Sequence, residues 1–276
     1  MRTKLFCLTA ICVAALGVAR LMRVPSEDVQ AADTPPAAAA PKEAPPDPEV
    51  EKLGEWMQGY YQHREADKLP AMVALAHKHK IFENSTASGS VVGFFSQLVN
   101  EKPERLALFT NWEKPSAAEL KTVALISWWS LSETGNKYLA ENEPDWTKVP
   151  CQGIANLHIN RADELDLCWG AFFATGKPAM IEPIIGALEL YKYTGSLEAI
   201  KKGDQSKQKV DEAILEAVFQ AAVWSLTANG RDHDVVKQVL IAKFKAANTR
   251  KDIQYCVGMI LSQIDPQNFK VEQPKR

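Results

Sequence analysis

Lys207-Gln-Lys-Val-Asp-Glu-Ala-Ile-Leu-Glu-Ala-Val-Phe-Gln-Ala-Ala-Val-Trp-Ser-Leu-Thr-Ala228 is the stretch that decides the fold. Val210, Ile214, Ala217, Ala221 and Trp224 recur at steps of three and four, the period of a helix that hides one face. Glu212, Glu216 and Gln220 follow one another at four-residue steps on the opposite side. The spacing predicts a helix over 207–228, with the Val210 to Trp224 stripe in the core and the carboxylates in water. Upstream, Ser116 and Glu119 are spaced as a capping box, in which each side chain satisfies the other residue's free backbone N–H. They open a helix over 117–134 whose centre, Val123 to Trp129, is apolar nearly all round and therefore buried. The same period predicts helices over 49–66, 70–79, 90–100, 103–112, 163–175, 178–193, 234–247 and 250–264. Strand-like alternation is nearly absent. The predicted fold class is all-α, built of stacked antiparallel helix pairs that either curve into a solenoid-like array or close into a compact bundle.

The helix ends share a phrase. Trp129 precedes Gly135, Trp169 precedes Gly176 and Trp224 precedes Gly230, each by about two turns, and Tyr191 to Gly195 is a shortened version. Glycine takes the left-handed conformation that ends a helix, and the aromatic ring two turns earlier packs on the returning neighbour. The intervals, 41 residues from Gly135 to Gly176 and 35 from Gly195 to Gly230, match the period of helix-hairpin repeats such as TPR and HEAT, without their consensus. The stretch from Leu165 through Cys168, Trp169, Phe172, Gly176 and Pro178 to Ile185 resembles a segment of uncharacterised exported bacterial helical proteins. That resemblance implies an all-helical envelope protein and carries no known activity.

Arg2 and Lys4 precede an apolar run from Leu5 to Ala19, the order of a secretory signal. The run is shorter than the roughly 20 residues a spanning helix needs. Small-residue cleavage sites follow Ala19 and Ala31, the second being preferred; Arg20 and Arg23 would suit an uncleaved anchor instead. Phe6 and Ile11 precede the two N-terminal cysteines, which argues against a lipid anchor. Seven of the sixteen prolines lie between Pro25 and Pro48, making a semi-extended tether. The predicted organisation is a signal peptide over 1–31, a Pro/Ala-rich linker over 32–48, a helical domain over 49–266 and a flexible tail over 267–276. The chain is expected to be exported, periplasmic or secreted, and to meet a membrane only through an uncleaved N-terminal segment. The whole chain of 276 residues is 46% apolar with a net charge of -2, enough to bury a sizeable core without disulfide staples. Losing residues 1–31 takes four basic residues from 32 and two acidic from 34, leaving -4. Nothing in that balance draws the protein to nucleic acid.

Chemistry is harder to find. No glycine-rich nucleotide loop, nucleophile elbow, zinc-protease or haem-attachment motif occurs, and no cofactor is predicted. Asp163, Glu164 and Asp166 are the densest acidic cluster and lie just before Trp169, as carboxylates beside an aromatic do in sugar hydrolysis. The first turn of a helix capped by Asn160 accounts for them equally well. His77 and His79 diverge on a helix, and Cys151, His158 and Cys168 lack the spacing of a zinc site, so no metal site is predicted. Cys151 and Cys168 could pair in an oxidising compartment or remain thiols. Asn84-Ser85-Thr86 is a glycosylation sequon or a polar turn. The loop 143–160, carrying Trp146, Cys151 and His158, set against the helix of Trp169, Asp163 and Asp166, is the predicted binding surface. These features suggest a non-catalytic module of the cell envelope that binds a protein or peptide. The alternatives are an enzyme acting on envelope polysaccharide through Asp163, Glu164 or Asp166, and a small-ligand carrier lined by Trp128, Trp169 and Trp224.

Overall fold

The computed structural model describes residues 47–84 and 88–270. The signal, most of the tether, Ser85 and Thr86 of the sequon and the last tail residues lie outside the described residues. Among those described there are twelve α-helices, seven 3-10 helices and no strand. The α-helices are α1 (Pro48–His63), α2 (Leu69–Lys78), α3 (Ser88–Glu101), α4 (Ala107–Thr110), α5 (Ala117–Ser130) and α6 (Glu133–Asn142), then α7 (Ala162–Thr175), α8 (Glu182–Gly186), α9 (Ser196–Lys201), α10 (Lys207–Asp232), α11 (Asp234–Lys245) and α12 (Lys251–Ile264). None is long and apolar enough to cross a membrane. The helix predicted over 178–193 is three pieces, a 3-10 turn at Pro178–Met180, α8 and a 3-10 helix at Ala187–Tyr193. Pro178 and Pro183 each sit at the start of a segment, where a missing N–H costs least. The loop predicted from Glu143 is preceded by α6, which sequence periodicity did not reveal; Ser132 caps it by accepting from Gly135 N at 3.0 Å.

The helices pack in pairs around α3, whose Phe94, Phe95, Leu98 and Val99 are all buried. Its main partner is α7, four helices later, with α5 on its other side and α1 laid against α7. This is not a stack in which each hairpin touches only its neighbours in sequence. In the second half α10 is surrounded by the Ala187–Tyr193 turn, α9, α11 and α12. One hydrophobic core runs unbroken from Leu53 to Leu261. A hydrogen-bonded chain ties the halves: Gln62 Nε2 donates to Tyr61 Oη at 2.9 Å, and the Tyr61 hydroxyl faces His233 Nδ1 at 3.0 Å, at the single residue between α10 and α11. Phe269 packs on Phe244, so the tail predicted from residue 267 is docked at its root.

The repeated glycines divide into two kinds. Gly176 (φ 66°) and Gly195 (φ 101°) adopt the left-handed conformation and end helical segments, as predicted. Gly135 and Gly230 do not. α5 stops at Leu131, itself left-handed, and Gly135 belongs to the first turn of α6, where a Cβ would stand 2.6 Å from Ser127 O. α10 runs through Gly230 to Asp232, and a Cβ on Gly230 would meet Ile264 Cδ1 at 2.5 Å. These two positions are glycine for closeness, not for turning. The same is true where α3 crosses α7. A Cβ on Gly93 would fall 2.0 Å from Leu167 O, one on Gly170 1.9 Å from Ser90 O, and one on Gly89 2.6 Å from Asp163 O. The two backbones touch through Gly89-x-x-x-Gly93 on one helix and Gly170 on the other.

The stripe predicted to bury α10 faces partly outward: Ile214 is 37% and Trp224 39% exposed, while Glu216 is 4% exposed. The reason lies in the N-terminus of α9, whose free N–H groups need an acceptor. Glu216 Oε2 accepts from Gly195 N at 3.1 Å and Leu197 N at 2.8 Å, and Glu212 accepts from Ser196 Oγ at 3.1 Å. Two carboxylates one turn apart thus turn inward to cap a neighbouring helix. Glu216→Ala would leave two backbone donors without their acceptor and is expected to cost about 2 kcal/mol in urea unfolding, with Glu212→Ala costing clearly less.

Candidate functional site

The predicted surface is a groove of about 400 Å³ where three helices and the 143–160 loop meet. Gly89 and Val92 of α3 and Leu167 of α7 make its floor, and Leu125, Trp128 and Trp129 of α5 its aromatic wall. Pro150, Gln152 and Leu157 close it from the loop, and Arg161, Asp163 and Glu164 stand at the start of α7. The loop is held there by Trp128, whose Nε1 donates to Val149 O at 3.3 Å and whose ring meets Trp146 edge-on at 6.0 Å between centroids. Trp129 packs edge-on against Trp128 at 4.6 Å. Val149, 56% exposed, and Leu131, 49% exposed, extend apolar surface along the same loop and helix end.

The structure sorts the predicted residues. Asp163 lines the groove, and Trp146 braces its wall. Trp169 does neither: it is buried at 3% exposure, stacked on Phe173, with its Nε1 lacking a partner among the described residues. His158 points away, exposed and paired with Glu189 at 3.3 Å. Trp224 lines a separate groove with Val223, Thr227, Met259 and Gln263, so Trp128, Trp169 and Trp224 do not share one pocket. Trp129, Leu157 and Arg161 were missed by sequence reading. Trp129 was read as part of a helix-end phrase, and nothing in a linear sequence says that Leu157 returns to α5.

The acidic cluster is mostly employed in holding structure. Both oxygens of Asp163 take the Arg161 guanidinium, through Nε at 2.9 Å and through the second nitrogen. Glu164 Oε2 accepts from Asn160 N at 2.8 Å and Arg161 N at 3.1 Å. The helix begins with Arg161, not Asn160, in the cap position. Asp166 is different. It is half-buried beside Gly89, has no hydrogen bond among the described residues, and its carboxyl is pushed up to about 7 by burial and then by the charge of Asp163. Of the carboxylates that line the groove among the described residues, Asp163 and Glu164 are both engaged in these local bonds.

The two histidines of α2 part as their spacing predicts. His77 stacks on Trp112 at 4.5 Å and bonds the buried Glu119. His79 places Nδ1 3.3 Å from Asp47 and Nε2 2.7 Å from Glu49, whose Oε2 also accepts from Lys78 Nζ at 2.6 Å. Asp47, Glu49 and His79 bring one ligating atom each within 4.8 Å of one another. Both imidazole nitrogens and the lysine are already spent on the carboxylates, as in a network of ion pairs. Cys151, Cys168 and Cys256 are free thiols, so the Cys151–Cys168 bridge is not formed. Burial pushes the Cys168 thiol up and Cys256 up to about 12. A thiol reagent at pH 8 is therefore expected to modify Cys151 first among these three in the native protein, and all three once it is denatured.

No family model matches the chain, and neither a curated protein nor a solved structure is similar to it.

Proposed function

We propose that the protein is an exported, non-catalytic binding module of the cell envelope that receives a segment of a partner protein in the Trp128–Trp129 groove. The observation that carries this reading is the groove's composition: half-buried indoles and leucines on a floor of closely packed helices, with Arg161, Asp163 and Glu164 gathered at the start of α7. Apolar pockets with a few placed polar groups are the usual form of a binding site, and tryptophans at their centre supply most of the affinity. About 400 Å³ accommodates a few side chains, not a folded domain. The Pro/Ala tether would hold this surface away from whatever anchors or precedes it. The polysaccharide-enzyme reading is weaker, since Asp163 and Glu164 are engaged in local bonds and Asp166 lies outside the lining.

A photoreactive amino acid at Val149, used in the native envelope, tests this directly. It is expected to capture one defined protein, and Trp128→Ala and Trp129→Ala should each weaken that partner's binding about tenfold or more with the helical circular dichroism unchanged. Adducts to the protein alone, or a yield indifferent to both substitutions, would sink the reading.

A further inference from the structure

The groove has an electrical sense as well as an apolar one. Its only cation among the described residues, Arg161, is consumed by Asp163, which uses both carboxylate oxygens on it. Glu164 spends Oε2 on two backbone donors, and its other oxygen, Oε1, takes no hydrogen bond from the described residues. The rim thus carries more carboxylate than its own cation neutralises, beside two indole rings packed nearly edge to face. Aromatic faces and uncompensated carboxylates attract the same partner, an alkylammonium or guanidinium group on an apolar stem.

We propose that the segment received by the groove presents a lysine or arginine side chain, its stem lying along Trp128 and Trp129 and its charge meeting the Glu164 side of the rim. This rests on the reading of the groove as a docking site and adds the chemistry of what docks. It also gives the mildly acidic charge of the folded part a local purpose, because an acidic rim steers a basic segment in before contact.

The test uses the full chain and three synthetic peptides of one leucine- and alanine-containing scaffold, whose central residue is lysine, acetyl-lysine or glutamate, followed by tryptophan fluorescence. Acetylation keeps the stem and removes the charge. The lysine peptide is expected to bind at least tenfold more tightly than the acetylated one, to weaken several-fold between low and high salt, and to lose most of its advantage in Glu164→Gln. Equal binding of the lysine and acetyl-lysine peptides, with both lost in Trp128→Ala, would overturn the cationic inference and leave the docking site standing. Binding by none of the three, or binding untouched by Trp128→Ala, would overturn both. The comparison between peptides needs no variant, so a folding defect in Glu164→Gln cannot decide it.

Discussion

Replacing Gly170 with alanine is expected to lower the unfolding free energy by about 3 kcal/mol or more, at the upper end of overpacking effects. Replacing Gly93 should do nearly the same. The added methyl at Gly170 would stand 1.9 Å from Ser90 O, and at Gly93 2.0 Å from Leu167 O. Both obstacles are backbone atoms, which cannot swing aside as a side-chain tip can. Relief requires moving α3 away from α7, and α3 is packed on its remaining sides through Phe94, Phe95 and Leu98, each at most 1% exposed. Alanine's better helix propensity returns only about 1 kcal/mol. Gly186 is the control: it is helical and exposed, and a Cβ there meets nothing within 4 Å. Gly186→Ala should stabilise by up to about 1 kcal/mol. Urea midpoints for the three variants check the contrast, and equal midpoints for Gly170→Ala and Gly186→Ala would show that the crossing is not tight.

Asp166→Asn is expected to stabilise the protein, and only above mildly acidic pH. The carboxyl titrates at about 7 when folded and near 3.9 in an unfolded chain. Between those values the folded state holds the proton more firmly than the unfolded one. Stability therefore falls as pH rises from about 4 to about 7 and changes no further above that from this group. At about 1.4 kcal/mol per pH unit, reduced because the side chain is only half-buried, the loss is on the order of 2–4 kcal/mol. Asparagine carries no charge to desolvate and escapes it. The melting temperature of the variant should exceed that of the native sequence by roughly 5–10 °C at pH 8, and the two should coincide at pH 4. Coincidence at both pH values would mean that the carboxylate finds solvent or a donor when ionised.

The helices were legible because apolar residues at steps of three and four leave no other economical reading. What the period could not supply was the direction each face turns. On α10 it put Ile214 and Trp224 inward and Glu216 outward, and the structure reverses all three. A helix surrounded by neighbours has no single wet side, and a carboxylate goes to the interior where unpaired N–H groups await it. The glycines were ambiguous for a related reason. A glycine that ends a helix and one that admits a neighbouring backbone look identical in sequence, and only the four-residue interval from Gly89 to Gly93 hints at the second role. The groove was half legible. The 143–160 loop and Asp163 were found from composition, but Trp169 was drawn in by its place on the same helix and turns out to be core. Leu125, Trp129 and Leu157 become one wall only when segments some thirty residues apart are folded together.

The glycine crossing also sets the timescale on which the two sides of the groove can move. Val92 and Leu167 belong to helices whose backbones are in contact, so their amides should exchange with deuterium only on global unfolding. Pro150 and Gln152 sit on the stretch of loop between Val149, held by the Trp128 indole, and Ile154, which is anchored in the core. Their neighbours should exchange by local opening orders of magnitude sooner. An arriving segment would meet a floor that never rearranges and an opposite edge that can shift to suit it, which permits variation in what is bound without loosening the frame that binds it.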